Sequence, residues 1–276
     1  MISNRETMNV PLAMQPPLSR TGDTEKIPAH WLLAQMGKRV LRPGGIELTR
    51  QMLAALDISS ADDVVEFAPG LGATAKLTLQ RAPATFIAIE QDEAASRHVG
   101  SLLEGPRQRC LVGTAQSTGL ASESASVVYG EAMLSMQSAT AKERIIAEAV
   151  RLLRRGGRYG IHELGLVPDE LIETLRDEIA RAFSRTIHHL VQPLTIAEWR
   201  ALLEQHGLEV QATLTAPMHL LEPARLIRDE GLFGAARFAF NVLRHGRVRV
   251  RVRHLRQLFR THHEHVSAVA LVAVKG

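Results

Sequence analysis

The chain has 276 residues, 45% of them apolar, 4% aromatic and 22% charged, and 33 Lys and Arg against 29 Asp and Glu leave a formal net charge of +4. That suffices for one large domain with an ordinary core, and so few aromatic residues count against a single-strand nucleic-acid binder built on stacking platforms. Cys110 is the sole cysteine, which excludes a disulfide framework and a multi-thiolate metal site and makes reducing cytoplasm the expected location.

No apolar run reaches the length of a membrane span, so no stable membrane anchor is expected, and the N-terminus lacks a basic segment leading into an apolar one. Residues 1–25 carry Pro11, Pro16, Pro17 and Gly22 among polar residues without periodicity and read as a flexible arm. A domain over 26–276 follows. It opens with a helical cover over 26–58. A helix at 28–36 puts Trp31, Leu32 and Met36 on an apolar face, and a basic loop follows with Lys38, Arg39 and Arg42 between glycines. A second helix at 46–56 turns Leu48, Met52, Leu53 and Leu56 inward.

From Asp63 strands and helices alternate. Val64, Val65 and Phe67 form a buried run that Pro69-Gly70 stops, and Ala75, Leu77 and Leu79 begin a helical pattern. Strands are expected at 85–90, 109–113, 126–131 and 158–163, with a helix at 93–103. Thr140-Ala141-Lys142-Glu143 reads as a capping box opening a helix striped with Ile145, Ile146, Ala149, Val150, Leu152 and Leu153. Gly156-Gly157 reads as that helix's C-cap, with Arg154 and Arg155 at its negative end.

A helix is expected at 168–183, and Thr195-Ile196-Ala197-Glu198 is a second capping box, its helix ended by Gly207. Strands at 208–215 and 267–274 are expected to pair as an antiparallel edge. A helical insertion at about 218–264 separates them, with Leu226, Ile227, Phe233, Phe238, Phe240, Val242 and Leu243 as its apolar residues. Its segment Arg247 to Arg253 alternates Arg and Val, yet Val248, Val252, Leu255 and Phe259 share one helical face. The whole pattern implies an α/β fold: a doubly wound, Rossmann-like seven-stranded sheet, mostly parallel, with an antiparallel last strand.

The glycine stretch admits two readings. Gly70, Gly72 and Ala75 fit the dinucleotide fingerprint G-x-G-x-x-A, with Glu90 near the distance of a ribose-binding acid, as in an NAD(P)-dependent oxidoreductase. Glu66 argues the other way, because a carboxylate at the strand's tip suits a ligand with a cationic part. Glu66, Ala68, Gly70 and Gly72 line up with E/D-x-G-x-G-x-G, Ala68 standing at the first glycine. Here the chain resembles the class I S-adenosylmethionine-dependent methyltransferases that act on small molecules, from Trp31 to the C-terminus, with the motifs between Asp63 and Glu163.

The resemblance implies S-adenosyl-L-methionine as cofactor. It puts Glu66, Ala68, Pro69, Gly70 and Gly72 around the methionine part, Glu90 on the ribose hydroxyls and Gln91 beside the adenine. Thr114, Ala115 and Gln116 would flank the adenine, and Glu131, Ala132 and Met133 the methyl-donor side. His162 and Glu131 are the candidate catalytic residues. Trp31, Lys38, Arg42, Met133 and His162 are candidates for a small-molecule acceptor, which His188 or His189 also stand to touch. Methyl transfer by in-line displacement needs alignment more than acid–base help.

His262-His263-Glu264-His265 lacks the i, i+4 spacing of a metal pair, and no metal is expected. No nucleic-acid partner is expected, and the apolar insertion leaves room for a homodimer. A non-enzymatic membrane-surface module using the arginine-rich helix is a third reading.

Overall fold

A computed structural model describes residues 27–218 and 220–276, so the arm expected over 1–25 lies outside the described residues. The chain runs through α1 (Ala29–Gln35), α2 (Gly45–Ala55), β1 (Asp63–Phe67), α3 (Ala73–Leu79), β2 (Thr85–Glu90), α4 (Glu93–Gly100), β3 (Gln108–Val112) and β4 (Ala125–Glu131). It continues through α5 (Ala139–Leu152), β5 (Leu153–Leu166), α6 (Glu173–Ile187), β6 (Leu194–Thr195), α7 (Ile196–Glu204), β7 (Leu208–Pro217), α8 (Pro223–Arg244), α9 (Gly246–Thr261) and β8 (Val266–Lys275).

One sheet has the order β3-β2-β1-β4-β5-β8-β7, with the two-residue β6 beside β5. β1 to β5 run parallel, and β8 runs antiparallel to both β5 and β7. The doubly wound sheet with its antiparallel end is therefore present, and β6 is an eighth strand too short for any periodicity to mark. The chain leaves β1 toward β2 on one side and returns to β4 on the other. That reversal opens a crevice at the carboxyl ends of β1, β2 and β4.

Successive strand residues point to opposite faces, and the core divides accordingly. Val64, Phe86, Val127 and Tyr129 pack under Leu48, Met52 and Leu56 of α2. Val65, Phe67, Val128 and Ile161 pack on the other face against Ile145, Ile146 and Ala149 of α5 and Trp199 of α7. A third cluster lies beyond the sheet's carboxyl edge. It joins Leu32 and Leu33 of α1, Phe183 of α6, Phe238 of α8 and Leu255 and Phe259 of α9. The cover and the insertion thus share a core of their own beside the crevice.

Several local expectations need correction. The box at Thr140 does not form: Ser138, two residues earlier, is the N-cap of α5 and accepts from the Ala141 amide. Gly156-Gly157 caps no helix, because Leu153 is already extended and β5 follows α5 directly. Arg154 instead pairs with Asp63 across the sheet's end. α6 starts at Glu173, because Pro168 opens a turn closed by the Leu171 amide. The box at Thr195 is complete, with both reciprocal bonds to Glu198.

Arg247 to Arg253 is helical, with Val248, Leu255 and Phe259 buried. In α8 the expected apolar residues divide: Phe238 and Val242 are buried, whereas Ile227, Phe233, Phe240 and Leu243 face solvent. After Gly231, Phe238 and Val242 lie one turn apart on the buried face, and Phe233 and Phe240 two turns apart on the other. Gly231 itself, at φ 74° and ψ 168°, breaks the helix, a conformation open only to glycine.

Candidate functional site

β1 ends at Phe67, and Ala68 then turns left-handed at φ 51° while its amide still donates to the Ile89 carbonyl at 2.8 Å. Gly70 and Gly72 also have positive φ, at 56° and 69°. Their tasks differ. A Cβ on Gly72 would sit 2.7 Å from Leu102 Cδ1, so this glycine lets α3 pack on the neighbouring layer, whereas Gly70 faces open space. Left-handed backbone explains why the motif favours glycine at position 68, where alanine carries a steric penalty.

Glu90 ends β2 and ties the bend in place. Its Oε2 accepts from the Gly70 amide at 3.0 Å and its Oε1 from the Asp92 amide at 3.1 Å. Burial pushes this carboxyl's pKa up, and the backbone amides of Asp92, Gly70 and Gln91 draw it down. A carboxylate has about four acceptor positions, so roughly two remain for a ligand. Asp92 caps α4 through the amides of Ala94 and Ala95, both at 2.9 Å.

Glu66 and Glu131, one strand apart, behave oppositely. Glu66 is 3% exposed, and its Oε2 has no hydrogen-bond partner. Burial, with Glu131 adding repulsion, pushes its pKa to about 8 against the opposing pull of Tyr129 and Arg42. Glu131 is nearly as enclosed, its side chain 8% exposed, but burial loses there to Arg42, His162 and Thr49, which hold it at about 2. It accepts from Thr49 Oγ1 at 2.6 Å, meets His162 Nδ1 at 2.7 Å and lies 3.3 Å from Arg42 Nε. Thr74 in the first turn of α3 donates to its other oxygen. Arg42 donates from Nε to Thr49 Oγ1 at 2.6 Å, yet its buried Nη2 has no partner.

These groups line a cleft of about 350 Å³. Glu66, Ala68, Pro69 and Gly70 come from the β1 bend, Glu90 and Gln91 from β2, and Thr114, Ala115 and Gln116 from the loop after β3. Glu131, Ala132 and Met133 come from β4, and Trp31, Leu41 and Arg42 form the cover; His189 also reaches the lining. Ala132, like Ala68, is left-handed, at φ 52°.

Three expected site residues lie elsewhere. Gly72 does not line the cleft, and Leu102 fills the space where a Cβ on it would point. His162 has no exposed surface and is not a cleft-lining base. Its Nε2 meets the Pro43 carbonyl at 2.6 Å, which only accepts, so that nitrogen carries hydrogen and a proton sits between Nδ1 and Glu131. Lys38 is buried too, 3.5 Å from Asp229 Oδ2 and 3.8 Å from Glu230 Oε1, and is not free for an acceptor. Burial lowers its pKa, opposed by those two acids.

Those acids escaped the sequence reading, as did Thr49, Thr74 and Asp92. Glu230 accepts from the amides of Arg39 and Val40 at 2.8 and 2.9 Å. Asp229 accepts from the Ile46 amide at 3.0 Å, and Arg225 donates to the Gly44 carbonyl at 2.8 Å. One turn of α8 therefore holds the loop that carries Arg42. The available signal was an acidic pair inside a basic insertion, opposite a basic loop. Among the described residues no His, Cys, Asp and Glu group is arranged to hold a metal.

Residues 65–161 match the family described as methyltransferase domain. An uncharacterized protein of Haemophilus influenzae is 31% identical over 219 residues, which span 78% of this chain and 85% of that one. The chain belongs to the class I S-adenosylmethionine-dependent methyltransferases. Solved structures share the fold of this methyltransferase. MccD protein superposes with a TM-score of 0.68 at 15% identity, covering 85% of this chain and 99% of that one. Geranyl diphosphate C-methyltransferase from Streptomyces coelicolor A3(2), solved with Mg2+, geranyl diphosphate and S-adenosyl-L-homocysteine, gives 0.60 at 13% identity, covering 83% and 79%. At those identities the likeness is one of fold.

The methyltransferase uses S-adenosylmethionine, and the oxidoreductase alternative falls with the family assignment. The residues present fit that cofactor. A buried carboxylate oxygen of Glu66 and a buried guanidinium nitrogen of Arg42, both unpartnered, line the same cleft, as the two charges of an α-amino acid require. No helix among the described residues is long and apolar enough to cross a membrane.

Proposed function

We propose that this methyltransferase acts on a small-molecule acceptor enclosed between the sheet's carboxyl edge and the α1–α2 cover. The observation that carries the reading is the pair of unpartnered buried atoms, Glu66 Oε2 and Arg42 Nη2, in one roofed cleft. Bound S-adenosylmethionine supplies an electrophilic methyl group on a sulfonium, open to in-line displacement by a nucleophile.

Glu66 receives the ammonium of the methionine part and Arg42 its carboxylate. Glu90 accepts from the ribose hydroxyls, while Gln91 and Thr114 to Gln116 border the adenine. Glu131 holds Arg42 and Thr74 in position rather than reacting. Trp31, Ala132 and Met133 surround the place of transfer, and their apolar surfaces exclude water. No separate base is invoked, since alignment of two bound partners supplies much of the rate. The hold of Asp229 and Glu230 of α8 on the amides of Arg39, Val40 and Ile46, which flank Leu41 and Arg42, supports a small acceptor over a polymer.

The test is incubation of the protein with methyl-labelled S-adenosylmethionine and a metabolite extract. Label in a low-mass product, together with S-adenosylhomocysteine, is expected. Label confined to protein or RNA would reject the small-molecule reading.

A further inference from the structure

A second, apolar cavity of about 70 Å³ adjoins the cleft. Leu41, Ala132 and Met136 belong to the walls of both. Away from the sheet, Met218, Leu220 and Phe259 are shared with an outer cavity of about 430 Å³, rimmed by Glu222, Arg256 and Arg260. The middle space thus shares walls with both of the others, the cleft where β4 ends and the cavity at the insertion.

The middle wall is built from Leu33 of α1, Phe183 and Ile187 of α6, and Leu255 and Phe259 of α9. Its acidic group is already engaged. Glu163 accepts from the amides of Met133, Leu134 and Ser135 at 3.0, 2.8 and 2.9 Å, and from Ser135 Oγ at 2.7 Å. Ser135 Oγ in turn accepts from the Leu164 amide at 3.1 Å. At the outer rim Arg256 and Arg260 are both bonded to Glu222. An apolar cavity whose acidic group is already bonded selects hydrocarbon, and at about 70 Å³ it is about half of the roughly 150 Å³ that admits benzene.

We infer that the acceptor is an amphiphile whose hydrocarbon chain lies in this passage, leaving its nucleophilic end beside Ala132 and Met133. The inference rests on the methyl-transfer reading of the cleft. It also gives the cover and insertion a task, because α1 and α9 each furnish one wall. A branched or linear aliphatic group of a few carbons fills the middle cavity, and a longer chain continues into the outer one.

The full-length protein saturated with S-adenosylhomocysteine is titrated with straight-chain alcohols from butanol to decanol, followed by Trp31 fluorescence and calorimetry. Binding is expected to tighten about fourfold per added methylene, the equivalent of ~0.8 kcal/mol for a buried CH₂, and then level off. Ile187→Trp, which fills the passage, should abolish the increment. Ile187→Ala should move the plateau to a longer alcohol. The affinity for S-adenosylhomocysteine should stay unchanged in both.

A flat series with normal S-adenosylhomocysteine binding overturns the passage alone. So does a series that neither Ile187 variant alters. Failure of the wild-type protein to bind S-adenosylhomocysteine, read in a separate titration, overturns the methyl-transfer reading and this inference with it.

Discussion

His162 bridges Glu131 and the cover: Nδ1 lies 2.7 Å from Glu131 Oε1 while Nε2 lies 2.6 Å from the Pro43 carbonyl. One ring thereby fixes the carboxylate that positions Arg42 and the loop from which Arg42 springs. His162→Phe leaves two buried acceptors short of a donor, at a cost of about 1–3 kcal/mol each. The expected result is a lower melting temperature and weaker S-adenosylhomocysteine binding. The pH profile of residual turnover should keep its shape. Loss of the profile's acid limb would instead make His162 the base.

Glu66 gives the free protein a pH signature. Its pKa of about 8 exceeds the ordinary 4.5, so between those values the folded state holds a proton that the unfolded state has released. Stability from this group is therefore full below about pH 4.5 and declines as pH rises toward 8. Glu66→Gln should remove that decline, seen as a flatter dependence of melting temperature on pH. A cationic ammonium favours the carboxylate, so ligand binding at pH 7 should release close to one proton in the wild type and none in Glu66→Gln. Calorimetry in buffers of different ionisation enthalpy measures it.

The clamp between α8 and the cover is a buried ion cluster. Removing one partner, as in Lys38→Met, takes the nearest cation from buried Asp229, while Glu230 keeps Arg39 at 3.2 Å, and should cost roughly 3–5 kcal/mol. Lys38→Met combined with Asp229→Asn should cost less than the sum of the two single changes. Urea unfolding of all four proteins closes the cycle, and strict additivity would show that the pair does not interact.

What was legible in the sequence followed from local pattern. Val64, Val65 and Phe67 announce a strand, Glu66 and Gly70 announce a ligand bend, and Val248 to Phe259 announce a helix. Long-range partners left no such trace. Asp229 and Glu230 meet Lys38 from the far end of the chain, and no period in the sequence records that register. His162 shows the converse. Its place after a buried run on β5 was readable, whereas the carbonyl of Pro43 that covers it was not. Gly72 also misleads, since a motif glycine used for packing looks the same as one used for a ligand.

Ala68 supplies a test of local strain. At φ 51° it carries a left-handed penalty that glycine lacks, partly offset by glycine's freer unfolded chain. Ala68→Gly should stabilise the protein by about 0.5–1 kcal/mol, a rise of about 1–4 °C in melting temperature. Affinity for S-adenosylhomocysteine should hold. A fall in stability would mean that the Cβ packs usefully.

The most direct measurement is calorimetric titration of S-adenosylhomocysteine into the wild type, Glu66→Gln and Glu90→Ala, each verified as folded by circular dichroism. Saturable one-to-one binding to the wild type, weakened at least about tenfold in each variant, is the predicted result. Equal affinity in all three would contradict the assignment of these two carboxylates to opposite ends of the cofactor.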